Sequence, residues 1–414
     1  MGEGILTEIA KTVGTPVFVY DAERIRSQVV ALRDAFRASN VEIHYSVKAN
    51  SNLSILKLLR EMGTGADIVS IGELHRTIAA GFDPAQVVFS GVGKRRDELE
   101  DAIKLGVGLV NIETEGELEF IKGTVESVER PIRLGIRVNP DVTADTHPYT
   151  QTGSKAMKFG VPFDEVGALA AKIADSKNLE LVSIAMHIGS QIADPKPYQE
   201  GAQRLAVLIG SLKEQGIDTL ETVDVGGGIG VQYYDDEKAL DLKAFAEAVQ
   251  PLAQETGLKL AIEPGRVIVG NAGVMLTNVL YRKRAGGRSY VIVDAGMNDF
   301  GRPSYYGAQH RIRVVRPSAC ESEEGELVDV VGPICESGDY QGLQRKLSGA
   351  GVGALLAVEG AGAYGFSMGS NYNSRPRPAE VMVDGEKFAI VRQREKTENL
   401  WKDELLEKDW VEVK

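Results

Sequence analysis

The sequence has little of what marks secreted, membrane-inserted and metal-binding chains. It contains two cysteines, Cys320 and Cys335, and they do not form a closely spaced metal-binding pair. No apolar run approaches the roughly 18 residues that cross a membrane. The opening residues, Met1 to Leu6, lack the basic stretch of a signal peptide and the serine or threonine of a myristoylation site. We therefore expect a protein of the reducing cytoplasm with no membrane partner.

Charge and composition narrow the possible partners further. The net charge of -12 at pH 7 argues against nucleic acid as the main partner. Apolar residues make up 43% and charged residues 26% of the chain, which is ordinary for a globular protein. At 414 residues the chain is longer than one hydrophobic core usually organises, so two domains are expected.

The first part of the chain alternates short apolar strands with amphipathic helices. An opening strand over 17–20 precedes a helical pattern over 22–37. Strand-helix alternation calls for a parallel sheet, and a count of eight favours a closed (β/α)8 TIM-like barrel over an open doubly wound sheet. The eight predicted barrel strands are 42–49, 65–70, 86–91, 108–113, 133–140, 181–190, 222–230 and 259–266.

Near residue 270 the pattern changes to short, β-branched strands separated by glycine, proline and asparagine. This pattern predicts a C-terminal antiparallel β-barrel or sandwich domain. The opening strand precedes the barrel, so both ends of the chain can build the β-domain. We predict a barrel domain over 22–270 and a β-domain made of 1–21 and 271–414. The predicted β-domain strands are 273–279, 290–293, 309–315, 326–331, 354–359 and 379–383.

Lys48 lies at the carboxyl end of the first barrel strand, where a barrel places its chemistry. Burial lowers the pKa of a lysine, and the neutral amine is the form that attacks a carbonyl to make a Schiff base. An exposed lysine at a strand end is the alternative, and Lys48 alone favours that alternative.

The turn Gly226-Gly227-Gly228 follows the seventh barrel strand. Its backbone amides have no side chain in the way, so an anion can approach closely. The loops after strands seven and eight are the habitual phosphate site of barrels, and Gly265-Arg266 after strand eight supports this interpretation. A plain tight turn is the alternative. The run does not match the dinucleotide motif G-x-G-x-x-G.

His187 and Glu263 lie at the ends of two other barrel strands. A lone histidine is more often a packing residue, and without further ligands beside it we reject a metal site; a flat imidazole against a flat ring is the other use. A buried Glu263 needs a cation, either an arginine or a protonated ring nitrogen. An amine, a phosphate cradle, a flat partner and a buried carboxylate together describe a site for pyridoxal 5'-phosphate, whose protonated ring is an electron sink.

Eight motifs, in order, make the chain resemble the diaminopimelate decarboxylase family of pyridoxal phosphate enzymes, which have an alanine-racemase-like barrel fold. The similarity extends from Thr15 into the C-terminal tail. The barrel motifs are YSVKAN at 45–50, HIGSQ at 187–191, DVGGG at 224–228 and EPGR at 263–266. The motifs in the second half are DAGMND at 294–299, GPICESGD at 332–339, GAYGFSM at 362–368 and NYNSRPRP at 371–378.

The resemblance implies roles for individual residues. Lys48 carries the cofactor, Asp67 lies near the Schiff base, His187 stacks on the ring and Glu263 pairs with the ring nitrogen. Cys335 protonates the substrate carbon after carbon dioxide leaves, and it comes from the second subunit of a homodimer whose active sites lie at the subunit interface. The other implied cofactor-binding residues are Ser190, Gly228, Pro264, Gly265, Arg266 and Tyr372. The implied substrate-binding residues are Arg266, Arg302, Tyr306, Glu336 and Tyr372.

Part of this assignment has a physical basis. Diaminopimelate carries an amino acid centre at each end; an arginine fork suits the distal carboxylate, and Glu336 suits the distal ammonium. Each residue also has a plainer interpretation. Arg302 could be a solvated loop charge, Cys335 a small buried hydrophobe, and Tyr306 and Tyr372 ordinary core aromatics.

The expected activity is decarboxylation of meso-2,6-diaminopimelate to L-lysine, the last step of lysine synthesis. A decarboxylase of ornithine, lysine, arginine or a carboxylated polyamine is the nearest alternative; a racemase and a non-catalytic pyridoxal phosphate carrier are further ones. The buried Glu263 argues against a racemase, and the long β-domain against a carrier. Thr150 and Met157 depart from the family pattern and bear on fine specificity.

Overall fold

The computed structural model describes residues 1–124, 130–144, 152–153, 157–318, 326–407 and Trp410. The chain divides into two compact units. The β unit contains Met1–Tyr20, Val274–Ala361 and Met368–Lys414. The barrel unit contains Asp21–Gly273 and Gly362–Ser367, so the GAYGFSM motif belongs largely to the barrel unit, although the prediction groups it with the β-domain.

The chain begins with helix α1 (Glu3–Val13) and strand β1 (Val17–Asp21). Leu6, Ile9 and Ala10 are the buried residues of α1, at the i, i+3, i+4 spacing of an amphipathic helix. This helix was not predicted from the sequence. Strand β1 lies within the sheet of the β unit, between two strands from the C-terminal half.

The barrel unit is a closed ring of eight parallel strands, which confirms the predicted (β/α)8 fold. The strands of this unit, which include the short β7 outside the ring, are β2 (Glu42–Ser46), β3 (Gly65–Ile68), β4 (Val87–Phe89), β5 (Leu109–Ile112), β6 (Ile132–Asn139), β7 (Val161–Pro162), β8 (Leu179–Met186), β9 (Thr222–Asp224) and β10 (Lys259–Ile262). Each pairs with its neighbour in this order, except that β6 pairs with both β7 and β8. The β10–β2 and β5–β6 pairings close the ring, and the short β7 stands outside it.

Helices separate the barrel strands as the apolar periodicity predicts. They are α2 (Ala22–Ala35), α3 (Leu53–Glu61), α4 (Ile71–Ala79), α5 (Arg96–Leu105), α6 (Glu115–Thr124), α7 (Val166–Ala174), α8 (Lys196–Glu214), α9 (Leu242–Thr256) and α10 (Arg266–Val269). Side chains at the helix starts accept hydrogen bonds from free backbone N–H groups, as Asp21 does for α2 and Asp241 for α9. Ser70, the last residue of the predicted strand 65–70, has this structural role in α4. None of the helices in the described ranges is long and apolar enough to cross a bilayer.

The β unit is built on a mostly antiparallel sheet, as predicted. Its C-terminal elements are β11 (Gly273–Ala285), β12 (Arg288–Val293), α11 (Arg302–Tyr306), β13 (Ile312–Arg316), β14 (Leu327–Val331), β15 (Tyr340–Lys346), β16 (Leu355–Glu359), β17 (Ala379–Asp384) and β18 (Lys387–Arg392). Strands follow the order β15-β14-β12-β11-β1-β17-β18, and β16 pairs with β11 and β13. The pair β12–β14 is parallel. Leu6, Val17, Leu276, Leu355 and Val381 belong to its hydrophobic core.

Candidate active site

The barrel unit contains a cavity of about 390 Å³ at the carboxyl ends of its strands. Charged and polar side chains from several strand ends line it, among them Lys48, Asn111, Arg137, His187 and Glu263. The strands stop earlier than predicted. Lys48 lies in a short 3-10 turn, Val47–Ala49, directly after β2, and Glu263 directly follows β10. Because the strands are short, Lys48 and Glu263 lie outside the regular hydrogen-bond ladder of the sheet, and both side chains border the cavity.

Lys48 forms an ion pair inside this cavity. Its Nζ lies 3.1 Å from Oδ2 of Asp67, whose side chain is fully buried. The hydroxyl of Ser46 donates a second hydrogen bond to the same oxygen, at 2.9 Å. Burial acts to lower the pKa of Lys48, but the carboxylates of Asp67 and Glu263 outweigh it and raise the pKa above its usual value. The expectation that burial lowers the pKa is therefore wrong for Lys48, because the surrounding carboxylates favour the charged ammonium form.

Glu263 and Asp224 add two more buried carboxyl groups. Burial raises the pKa of Glu263 well above its usual value, and the nearby Asp67 and Asp224 raise it further. Burial likewise raises the pKa of Asp224 to about 7. Asp224 accepts a hydrogen bond from the N–H of Gly226 at 2.7 Å, whereas the Glu263 carboxyl makes no hydrogen bond to any residue of the described ranges. A buried carboxyl without a hydrogen-bond partner is suited to a cationic group of a bound ligand.

His187 directly follows β8 and borders the cavity. Its Nδ1 accepts a hydrogen bond from the backbone N–H of Gly227 at 3.2 Å. Burial lowers the pKa of His187 well below its usual value, and the charges of Lys48 and Arg137 lower it further. The imidazole is therefore neutral and carries its proton on Nε2.

The glycine turn after β9 packs too closely for any side chain. A Cβ on Gly227 would lie 2.0 Å from the carbonyl oxygen of Glu263, and one on Gly228 would lie 2.2 Å from that of Gly189. The hydroxyl of Tyr198 donates to the Gly227 carbonyl at 2.9 Å. The backbone N–H groups of Gly228 and Gly265 donate to no acceptor in the described part of the chain. Such free amides are suited to an anion.

Arg266 starts helix α10 close to this turn. Its Nη2 donates to the hydroxyl of Ser190 at 2.9 Å, and its Nη1 donates to the hydroxyl of Tyr233 at 2.9 Å. The guanidinium carbon lies 4.6 Å from the ring centre of Tyr364. Pro264 precedes this segment, and its carbonyl accepts the N–H of Ser46 at 3.2 Å, which links β10 to β2. Sequence reasoning missed both tyrosines, because only the folded chain brings them to Arg266.

The barrel residues fit pyridoxal phosphate. Lys48 supplies an amine, and His187 supplies a neutral ring bordering the same cavity. The otherwise unbonded Glu263 carboxyl suits a protonated ring nitrogen, and the free amides of the glycine turn suit a phosphate. Among the described residues, no group of three or more His, Cys, Asp or Glu side chains could hold a metal ion.

Arg137 is a cavity residue that sequence reasoning missed. Its Nη1 lies 3.1 Å from Oε1 of the buried Glu113, and its guanidinium lies 5.0 Å from the ring centre of Phe159. The second oxygen of Glu113 accepts the N–H of Gly160 at 2.8 Å. The one sequence signal for a site residue was an arginine two residues before the end of β6. Arginines also occur at solvent-exposed strand ends, so this signal did not identify Arg137.

Three predicted residues of the β unit lie in adjoining loops. Cys335 is exposed, and its N–H donates to the side chain of Asn373 at 3.2 Å. The hydroxyl of Tyr372 donates to Oε1 of Glu336 at 2.7 Å. Asp339 holds the Cys335 loop, since its two oxygens accept the N–H groups of Met297 and Ile334 at 2.7 and 2.6 Å. Exposure excludes the plainer interpretations of Cys335 as a buried hydrophobe and Tyr372 as a core aromatic.

Arg302 and Tyr306 lie on helix α11 of the same unit. Arg302 is only 6% exposed, which excludes a solvated loop charge, and its guanidinium carbon lies 5.9 Å from the ring centre of Tyr306. Ser304 of this helix donates to the Gly338 carbonyl at 2.6 Å, so α11 is tied to the Cys335 loop. Of the two departures from the family pattern, Met157 is partly buried and Thr150 lies outside the described residues, as does Cys320.

Comparisons with known proteins agree with this arrangement. The family model described as pyridoxal-dependent decarboxylase, pyridoxal binding domain, matches residues 22–270. A diaminopimelate decarboxylase from Helicobacter pylori is 44% identical over 96% of this chain and 97% of its own length. One from Pseudomonas aeruginosa is 44% identical over 98% of this chain and 96% of its own. The crystal structure of a diaminopimelate decarboxylase from Helicobacter pylori complexed with L-lysine superimposes with a TM-score of 0.91, at 43% identity, and covers 96% of this chain and 98% of that one.

Proposed function

The chain belongs to the diaminopimelate decarboxylase family, and from this premise we propose that it converts meso-2,6-diaminopimelate to L-lysine and carbon dioxide. Family membership confirms the resemblance seen in the motifs, the enzyme class of a carboxy-lyase and the cofactor pyridoxal phosphate. The observation that carries the choice of substrate is the 44% identity with diaminopimelate decarboxylases over nearly the whole chain, both units included.

The barrel unit supplies all the residues proposed to hold the cofactor except Tyr372, which belongs to the β unit. When bound, the cofactor's protonated ring withdraws electrons from the substrate α-carbon and so permits loss of carbon dioxide. Lys48 binds it covalently, and Asp67 orients the Lys48 amine through their ion pair. Glu263 keeps a proton on the ring nitrogen, and His187 presents its neutral imidazole to the ring. The residues proposed to hold the phosphate or lie beside it are Ser190, Gly228, Gly265, Arg266 and Tyr372, and Pro264 completes the proposed cofactor-binding set.

The β unit supplies all the residues proposed to select the substrate except Arg266, which belongs to the barrel unit. Arg302, with Arg266, Tyr306 and Tyr372, binds the distal amino acid centre, and Glu336 binds its ammonium group. Cys335 delivers a proton from Sγ to the carbon that has lost carbon dioxide. We further propose a homodimer in which Cys335 serves the active site of the partner subunit. The homodimer and a cytoplasmic location remain predictions.

The choice of substrate separates this proposal from its alternatives. Ornithine, lysine and arginine have no second amino acid centre, so they do not need a buried arginine for a distal carboxylate. The buried Glu263 suits a decarboxylase better than a racemase, because a carboxylate keeps the ring nitrogen protonated.

A substrate panel tests the proposal. The protein loaded with pyridoxal phosphate is incubated with meso-diaminopimelate, L-lysine, L-ornithine, L-arginine and carboxynorspermidine, and released carbon dioxide and amine product are measured. We expect release from diaminopimelate, with L-lysine as the product. Release from one of the other compounds but not from diaminopimelate would contradict the proposed substrate, and racemised diaminopimelate without carbon dioxide would contradict the reaction.

A further inference from the structure

The β unit contains a buried histidine, His310, in contact with Arg302. The Nε of Arg302 donates a hydrogen bond to Nε2 of His310 at 3.2 Å. His310 is 0% exposed. Because Nε2 accepts this hydrogen bond, the ring proton is on Nδ1, which lies 2.9 Å from the carbonyl oxygen of Glu359 and donates to it. The imidazole is neutral in this arrangement, with a defined tautomer.

The surrounding strands hold His310 in place. The residue lies two positions before β13, which pairs with β16, the strand that ends at Glu359. The N–H of Glu359 donates to the Arg311 carbonyl at 2.9 Å, and its side chain forms an ion pair with Nε of Arg313 at 2.9 Å. The ring of Phe300 packs edge-on against the imidazole, with 4.8 Å between ring centres. His310 is therefore fixed to the sheet on one side and contacts Arg302 on the other.

This contact sets the orientation of the Arg302 guanidinium. Because Nε and the two Nη atoms lie in one plane, a hydrogen bond at Nε restricts the orientation of that plane. The ring of Tyr306 lies on the same guanidinium, 5.9 Å from its central carbon. A carboxylate binds best to a planar guanidinium through two parallel hydrogen bonds, so the orientation of the plane decides the strength of binding.

We propose that His310 is a positioning residue for substrate recognition, which acts by orienting Arg302 toward the distal carboxylate of an amino diacid. The inference rests on the proposed function, since the distal carboxylate is the group that Arg302 is proposed to bind. His310 does not touch the reacting atoms in this scheme. Its effect is on affinity for ligands that carry the distal carboxylate.

Two substitutions separate the hydrogen bond of His310 to Arg302 from its hydrogen bond to the Glu359 carbonyl. A glutamine reaches the position of Nε2 with its amide oxygen, so His310→Gln keeps an acceptor for Arg302. An asparagine reaches only the position of Nδ1, so His310→Asn keeps the donor to Glu359 and removes the acceptor for Arg302. Both variants replace a buried ring by a smaller amide, and they therefore control for each other in packing.

Two amines test the role of the carboxylate in the holoenzyme. L-lysine retains the distal carboxylate after carbon dioxide is lost, and 1,5-diaminopentane is the same chain without it. Binding of each is followed by the absorbance of the bound cofactor. For His310→Asn we expect L-lysine affinity to fall and KM for diaminopimelate to rise roughly tenfold, as for a lost hydrogen bond to a charged group. We expect the affinity for 1,5-diaminopentane and kcat to stay within about twofold, and His310→Gln to restore L-lysine binding.

Unchanged L-lysine affinity in His310→Asn, an equal loss for both amines, or no rescue by His310→Gln would overturn the inference. If both variants fail to fold, the wild-type holoenzyme labelled with ¹⁵N-histidine decides: a proton on Nδ1 of His310 supports the proposal and a proton on Nε2 overturns it. A wild type that does not decarboxylate diaminopimelate defeats the proposed function instead. An active wild type whose L-lysine affinity is insensitive to His310→Asn defeats only the role of His310.

Discussion

The Nδ1 atom of His187 accepts a hydrogen bond from the backbone N–H of Gly227, over 3.2 Å. The glycine turn therefore does more than leave room for an anion, because it also selects the tautomer of the histidine that borders the same cavity. The lowered pKa of His187, due first to burial and then to Lys48 and Arg137, favours the same neutral form. Geometry and electrostatics agree on an uncharged imidazole with its proton on Nε2.

The first prediction concerns the protonation of His187. Because its pKa is lowered, the imidazole is expected to remain neutral from about pH 8 to about pH 6, a range that spans the ordinary histidine pKa. The unfolded chain takes up a proton first as the pH falls, so His187 contributes a loss of stability below about pH 6.5. Histidine ¹⁵N shifts across this range measure the protonation. A doubly protonated His187 at pH 6 would count against the predicted form.

The second prediction concerns Glu263→Gln. A buried acid with a raised pKa releases its proton less readily than in the unfolded chain, and stability therefore falls as the pH rises above about 4.5. The substitution removes this penalty, so the cofactor-free variant should melt at a higher temperature than wild type at pH 7.5. Decarboxylation should fall on the order of 100-fold, as when one preorganised charge is removed from a site.

The control for this variant is Glu398→Gln, at an exposed position. It should leave both the melting temperature and the decarboxylation rate unchanged. A Glu263→Gln protein that is less stable and equally active would mean that Glu263 has a structural role only.

The third prediction compares two glycines. In Gly227→Ala the new Cβ meets the Glu263 carbonyl oxygen at 2.0 Å, so the turn must shift. We expect a loss of roughly 1–3 kcal/mol in the free energy of unfolding, as for overpacking, together with weaker cofactor binding. Gly210→Ala in helix α8 meets nothing within 4 Å, and it should gain about 0.5–1 kcal/mol. Urea unfolding and cofactor titration of both variants measure these effects; equal behaviour of the two would refute the packing argument.

The fourth prediction tests whether active sites are shared between subunits. Lys48→Ala and Cys335→Ala should each be nearly inactive, because one lacks the amine that binds the cofactor and the other lacks the proposed proton donor. If Cys335 serves the partner subunit, mixing the two proteins under conditions that exchange subunits gives heterodimers with one complete site. Regained activity should approach about a quarter of the wild-type value, since about half of the dimers are mixed.

The matched measurement uses the double variant Lys48→Ala, Cys335→Ala mixed with wild type. If sites are shared, one site of each heterodimer lacks Lys48 and the other site lacks Cys335, so neither site is complete. No recovery in the first mixture would mean that each subunit supplies its own Cys335.

The barrel was predictable because its strands and helices repeat a regular apolar pattern; the predicted strand starts agree within two residues, whereas the predicted strand ends lie one to six residues too late. The deviations have a physical cause. Lys48 and Glu263 leave the strand ladder early, since their side chains must reach the cavity. In the β unit, β15 and β18 were missed: the Gln341, Gln344 and Arg345 of β15 hide its alternation, and β18 lies at the edge of the sheet, mostly outside the core.

Candidate site residues were predictable where a local motif carried them, as for Lys48 and the glycine turn. Arg137 and His310 were not, because their significance comes from partners far along the chain, Glu113 in one case and Arg302 with Glu359 in the other. The direction of the Lys48 pKa shift was also missed. Burial was visible in the sequence pattern, but the combined effect of the Asp67 and Glu263 carboxyl groups on this pKa was not.

The hydrogen bonds of Asp339 have a consequence for protein engineering. Its carboxylate joins the loop that carries Cys335 to Met297, more than thirty residues earlier in the chain. The segment 332–339 therefore does not hold its conformation by itself. A graft of this loop into another protein would also need segment 294–299, because the Cys335 loop would otherwise lose a hydrogen bond that positions it.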